Sequence, residues 1–184
     1  YTTSNQNGSQ SSNRTDLGRR GVVMVTGGTG TLTLDAGNDV NLKAATVASQ
    51  GTASIAEGND VNIGGVTLTV DHETGNKGKN YIFDSESLHV GSQVYAAGNL
   101  GVSAGNNVLV AGSKALSDSA LDIHAVGDIS VTEGRSESFH ETTTYEKSSG
   151  FLSSKTKKTH EIMKDDLAIG SEISGNTINM EAGG

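Results

Sequence analysis

The residues of this chain that could do chemistry begin with Val25-Thr26-Gly27-Gly28-Thr29-Gly30. This run is like the phosphate loop of a short-chain dehydrogenase. Such a loop needs a further glycine three residues on and then a helix. Thr33 stands at that place, and Thr31-Leu32-Thr33-Leu34 alternates as a strand does. The same glycines fit the start of a calcium-binding nonapeptide, but Leu32 falls where an aspartate is required. Asp39 and Asp60 could stack as carboxylates one repeat apart; solvated turn aspartates are preferred to a cation site there. The histidines, His72, His89, His124, His140 and His160, show no close metal-ligand spacing. His140 and His160 could face each other across a hairpin, which reads as a chance pair. Polysaccharide lyases and hydrolases need clustered carboxylates, and here the acids are scattered. No Gly-x-Ser-x-Gly elbow joins Ser, His and Asp into a triad. No catalytic, cofactor-binding or metal-binding residue is assigned, and the chain is not expected to be an enzyme.

The glycines and aspartates belong to a larger pattern. Asp35-Ala36-Gly37-Asn38-Asp39-Val40-Asn41-Leu42 returns as Ala56-Glu57-Gly58-Asn59-Asp60-Val61-Asn62-Ile63, a shift of 21 residues. A fixed period of this size marks a stacked, repetitive fold. Short alternating apolar runs between Gly-Asn signals read as strands joined by turns. The valine slot recurs at Val108, Ile129 and Ile178, with successive spacings of 21, 47, 21 and 49 residues. The long gaps hold one period plus excursions of 26 and 28 residues; the first would also fit two coils and about five residues. The expected fold is all-β: a right-handed parallel β-helix of about 21 residues per coil with protruding hairpins. Val40, Val61, Val108, Ile129 and Ile178 then form one inward column. Leu42, Ile63, Val110, Val131 and Met180 form a second. Gly37 and Gly58 are expected to supply positive φ at the corners, and Asn38 and Asn59 a ladder of side-chain hydrogen bonds.

Composition agrees with this architecture. Of 184 residues, 25 are Gly and none is Pro, Cys or Trp, and aromatics make up 4%. An interior without aromatics must be filled by Val, Ile, Leu and Ala, which suits a narrow stacked coil. The net charge of −8 argues against nucleic acid as a partner. No apolar run is long enough for a membrane helix. The chain begins at Tyr1 and not at Met, which reads as a piece of a longer protein whose export signal would lie upstream.

Three stretches leave the pattern. Residues 1–20 are polar and read as a flexible end or hairpin stub, ahead of a repeat domain over 21–184. Excursions are placed near 71–92 and 134–166. In the second, an acidic arm with Glu137, Glu141 and Glu146 precedes Ser148-Ser149-Gly150, and a basic arm with Lys155, Lys157 and Lys158 follows. Opposite charges across the arms predict a long hairpin. With Tyr145 and Phe151 it is the candidate interaction surface.

The repeats at 36–42 and 58–63, Ala104-Gly105-Asn106-Asn107-Val108, and Gly127-Asp128-Ile129-Ser130-Val131-Thr132-Glu133-Gly134 resemble the haemagglutinin-repeat region of two-partner-secretion exoproteins. That group includes filamentous haemagglutinin adhesins and contact-dependent growth inhibition toxins of Gram-negative bacteria. Glu146-Lys147-Ser148-Ser149-Gly150-Phe151-Leu152-Ser153-Ser154 is similar to the Ser/Lys-rich insertions of these proteins. The resemblance runs from about Gly21 to the end. It implies a secreted shaft at the bacterial cell surface, exported through an outer-membrane transport partner, that presents or delivers a toxin domain. An adhesin segment is the alternative, and a carbohydrate-active β-helix enzyme is the alternative of another class. The expected partners are the transporter and a receptor on a target or host cell, with no cofactor. The fragment itself is expected to be monomeric.

Overall fold

The computed structural model describes residues 2–5, 10–77 and 79–183. Among these there is no helix, only strands and turns. In chain order the strands are β1 (Thr2–Asn5), β2 (Gln10–Arg14), β3 (Val22–Val25), β4 (Thr31–Ala36), β5 (Val40–Lys43), β6 (Thr46–Ser49) and β7 (Thr52–Glu57). There follow β8 (Val61–Gly64), β9 (Val66–Gly75), β10 (Tyr81–Val90), β11 (Gln93–Ala96), β12 (Leu100–Ala104) and β13 (Val108–Ala111). The last are β14 (Lys114–Ser117), β15 (Ala120–Ala125), β16 (Ile129–Thr132), β17 (Gly134–Ser149), β18 (Ser154–Ile169), β19 (Glu172–Ser174) and β20 (Thr177–Ala182). They fall into two compact units.

The first unit comprises 18–66, 89–135 and 168–184. It holds three parallel sheets, ordered β19-β14-β11-β6-β3, β20-β15-β12-β7-β4 and β16-β13-β8-β5. Consecutive strands go to different sheets in rotation, so each strand pairs with the one a full repeat away. Val40 is in register with Val61, Val61 with Val108, and Val108 with Ile129. Leu42, Ile63, Val110 and Val131 form the neighbouring line. A second sheet aligns Leu34, Ile55, Val102 and Ile123, and a third aligns Val23, Val47, Val94 and Ala115. Interior members such as Ile55, Val61, Val94 and Val108 are fully buried. Each contributes roughly 1.5–3 kcal/mol. No strand triplet could bury these side chains alone, because each aliphatic face is covered by its equivalents on either side.

Two features of the expected columns are corrected. Ile178 and Met180 do not continue the valine and leucine lines: Ile178 is in register with Leu121 and Met180 with Ile123. After β18 the chain re-enters the parallel sheets through β19, whose Ile173 aligns with Ala115. By Ile178 it has reached only the next sheet, one strand short of the valine line. A Gly-Asn turn precedes that strand too, so the motif occurs at a corner it was not expected to mark. The other correction concerns the corner glycines. Gly37 and Gly58 have no positive φ; among described glycines only Gly75 and Gly112 do. Gly58 is required by close approach: a Cβ there would lie 2.6 Å from the Gly37 carbonyl oxygen.

The 61–108 gap holds no second repeat, because β8 pairs directly with β13. Its extra residues belong to the second unit, 1–17, 67–88 and 136–167. This unit is a six-stranded sheet ordered β1-β2-β9-β10-β17-β18. The strands of the first excursion run from Val66 to Val90, a few residues earlier than the expected 71–92, and those of the second from Gly134 to Ile169. Residues 2–5 and 10–14 pair in antiparallel register; residues 6–9 lie outside the described residues, as does Gly78 of the first excursion. Neither excursion is an isolated ribbon. β2 pairs with β9, and β10 with β17 over Tyr81↔Thr143 to Ser87↔Glu137. Two-stranded ribbons are marginal in water, and this pairing turns three weak pieces into one sheet. Tyr81 and Thr143 are buried in it, and Phe83 and Phe139 meet at 5.9 Å.

Among the described residues of the first unit, Glu57 is an electrostatic liability. Both of its carboxylate oxygens are buried without a hydrogen-bond partner. Burial raises its pKa, the Asp39 and Asp60 carboxylates push the same way, and the Val40 amide opposes them. That amide already donates to the Asp60 carbonyl at 3.1 Å. An acid with a raised folded-state pKa costs stability when ionised, so the penalty is full above that pKa and fades as the pH falls through it. Glu57→Gln is therefore expected to raise Tm by about 1–3 °C at neutral pH. The gain should shrink on acidification; an equal gain at all pH values would contradict the assignment.

Candidate interaction hairpin and the corner ladders

The long strands β17 and β18 position the candidate surface. Glu141 accepts from His160 Nε2 at 2.9 Å, and Glu137 pairs with Lys164 at 3.7 Å. As the number rises by four on one strand it falls by four on the other, the register of an antiparallel pair. Opposite charges cross this hairpin in its half away from the turn, where Glu137 meets Lys164. Near the turn, Lys155 and Lys157 are exposed and form no ion pair among the described residues. Lys158 lies 5.5 Å over the Tyr145 ring, and the Tyr145 amide donates to Asn80 Oδ1 at 2.7 Å. In this register Glu137 and Glu141 face Lys164 and His160. At the turn, the Gly150 amide donates to the Ser153 carbonyl, and Phe151 and Leu152 stand free of cover, at 102% and 94% exposure.

His140 and His160 each have a carboxylate partner. His140 Nδ1 meets Asp84 Oδ1 at 2.5 Å, its register partner on β10. A groove of about 380 Å³ lies here, lined by Val70, His72, Asp84, Glu86, Ser138 and His140. Its His72 Nε2 is 2.9 Å from Thr74 Oγ1. Among the described residues no three His, Asp or Glu side chains are grouped so as to hold a metal. Gly27 to Gly30 is a tight turn, closed by the Gly30 amide on the Gly27 carbonyl, and leads into β4 and not into a helix.

The turn ladder exists, with different rungs from those expected. Asn59 Nδ2 donates to Asp39 Oδ1 at 2.8 Å and not to Asn38, whose backbone carbonyl accepts the Asn59 amide at 2.9 Å. Asp60 Oδ1 in turn accepts from Asn106 Nδ2, Asn107 N and Asn107 Nδ2 at 3.0–3.1 Å. The Asp128 amide donates to Asn107 Oδ1 at 2.9 Å. The aspartates are thus the acceptors that tie one corner to the next. The exchange of Asp for Asn at position 107 keeps an acceptor and was the available signal.

Two further corner devices were not read from the sequence. Ser92 Oγ donates to the Gly64 carbonyl at 2.6 Å and accepts from the Ala45 amide at 3.0 Å. Ser113 Oγ accepts from the Ser92 amide and donates to the Ala111 carbonyl. Ser92, Ser113 and Ser171 follow Gly91, Gly112 and Gly170, a Gly-Ser repeat visible in the sequence. The His89 ring is the other device. It fills a space that Gly65, Gly112 and Gly134 leave, each so near that an added Cβ would come within 2.6 Å of the ring. In chemical terms these corners are occupied by structural hydrogen bonding. Comparison with known proteins found no matching family model, no matching curated protein and no matching solved structure.

Proposed function

We propose that the chain is a length of right-handed parallel β-helix from the shaft of a secreted bacterial surface exoprotein of the haemagglutinin-repeat kind. The shaft carries a toxin domain toward a neighbouring cell, and the second unit is its interaction module. The observation that supports this most is the 21-residue register. It is kept by Val40, Val61, Val108 and Ile129 although 47 residues separate the middle two. Such a design gives length and stiffness along one direction and puts variable sequence outside the repeat. An adhesin segment would use the same parts, with the receptor on a host cell. The polysaccharide-cleaving alternative has no support from a clustered carboxylate pair.

Removing 136–162 tests the division of labour. The parallel sheets should keep a cooperative melt, with Tm within about 5 °C of the parent. Fluorescently labelled fragment should bind Gram-negative cells in flow cytometry, and the deleted form should lose most of that binding. Equal binding by both forms would remove the hairpin from the proposal. Release of oligosaccharides in a polysaccharide screen, abolished by one carboxylate change, would overturn the proposal itself.

A further inference from the structure

We infer that β18 is a self-pairing edge: two copies of this chain join through antiparallel β18–β18 contact around a two-fold axis at Ile162. The inference is independent of the shaft role and departs from the expected monomer. β18 ends its sheet and is paired only with β17 among the described residues. It is 16 residues long and exposed along nearly its whole length. Ile162, Met163 and Leu167 are each more than half exposed. A long edge of this kind presents a row of open backbone donors and acceptors, and proteins normally blunt it. There is no proline in the strand to do so.

The charges choose the occupant. Lys155, Lys157 and Lys158 occupy one half of β18, and Asp165 and Asp166 the other. The lysines would repel a basic or parallel-running strand. An antiparallel copy of the same strand instead brings each basic segment against an acidic one. A two-fold pair must also place one residue opposite its own copy, because facing residues have to project from the same side of the sheet. Centring on Glu161 sets two glutamates together and Lys158 against Lys164. Centring on Met163 sets Glu161 against Asp165. Centring on Ile162 buries one isoleucine against its own copy on the axis and leaves Lys157 diagonal to Asp165, an attraction that occurs twice; Lys158 then faces Asp166, which already has a partner in its own chain. His160 then faces Lys164, but each already has a carboxylate on β17, Glu141 and Glu137.

The chain has no cysteine, which makes a direct test available. Directly opposed residues of an antiparallel pair have Cα atoms about 4.5–5.5 Å apart, within disulfide range. Ile162→Cys is expected to oxidise readily to a covalent dimer. Thr156→Cys, whose own copy would lie about 40 Å away, is expected to stay monomeric. Sedimentation of the unmodified chain should show reversible dimers. Asp165→Lys should weaken them about tenfold, since two diagonal attractions become repulsions. Adding Lys157→Asp should restore most of the loss. Circular dichroism of each variant establishes that it is folded. A chain still monomeric at hundreds of micromolar, equal cross-linking at both cysteines, or failure of the double reversal to rescue would each overturn the inference. So would a dimer insensitive to all of these changes, which would belong to another surface.

Discussion

Val61→Asp is expected to abolish cooperative folding of the parallel sheets. Val61 is fully buried and lies between Val40 and Val108 in register. The substitution forfeits roughly 1.5–3 kcal/mol of apolar burial. It also puts a carboxylate into the apolar core cluster, at a cost of several kcal/mol more. The sum is comparable with the whole stability of an ordinary domain, about 5–15 kcal/mol. Thermal melting by circular dichroism should lose its sharp transition. The same change at Val40 is the internal comparison. Val40 is only partly buried, because it has a neighbour on one side alone. It should cost less than half as much. Equal damage at both positions would mean that the stacking of equivalent residues does not set the stability.

Gly91→Ala is the second large effect, and it acts through the backbone. A Cβ on Gly91 would stand 1.9 Å from the Gly112 carbonyl oxygen and 2.9 Å from its carbon. A carbonyl group has no alternative rotamer, so the two corners must part. Parting them strains the Ser92 amide bond to Ser113 Oγ and the Lys114 amide bond to the Ser92 carbonyl, now 3.0 and 2.9 Å. Overpacking costs about 1–3 kcal/mol, and each weakened buried hydrogen bond about 1 kcal/mol. A loss of about 2–4 kcal/mol is expected in urea unfolding. Gly28→Ala is the control, since its Cβ would meet nothing within 4 Å; it should change stability by less than about 0.5 kcal/mol.

The parallel sheets were legible because their signal is periodic. A shift of 21 residues carries Val40 onto Val61 and Asn41 onto Asn62, and both pairs are in register. Asn62 Nδ2 even donates to Asn41 Oδ1 at 3.1 Å. Interior apolar positions have few chemical substitutes, so the repeat survives in the letters. The Ile178 assignment failed for the complementary reason. A Gly-Asn turn is a statement about local backbone and says nothing of which sheet the next strand joins. The six-stranded sheet was not legible as one sheet. Its strands come from three distant segments, and pairing such as Asp84 with His140 depends on a meeting that no period announces. The hairpin arms could be seen, but their pairing with β10 could not. The ladder residues fall between these cases. Asp39 and Asp60 repeat faithfully, yet a turn residue and a hydrogen-bond hub look alike in one sequence.

The detour between β8 and β13 has a practical corollary. The bonds from Asn107 N to Asp60 and from Val61 N to Asn107 O are made as if nothing had been inserted. Hydrogen bonding between adjacent tiers therefore carries no record of the length of chain that connects them. Foreign sequences of quite different sizes could be spliced in at that exit, and the scaffold on either side would keep count.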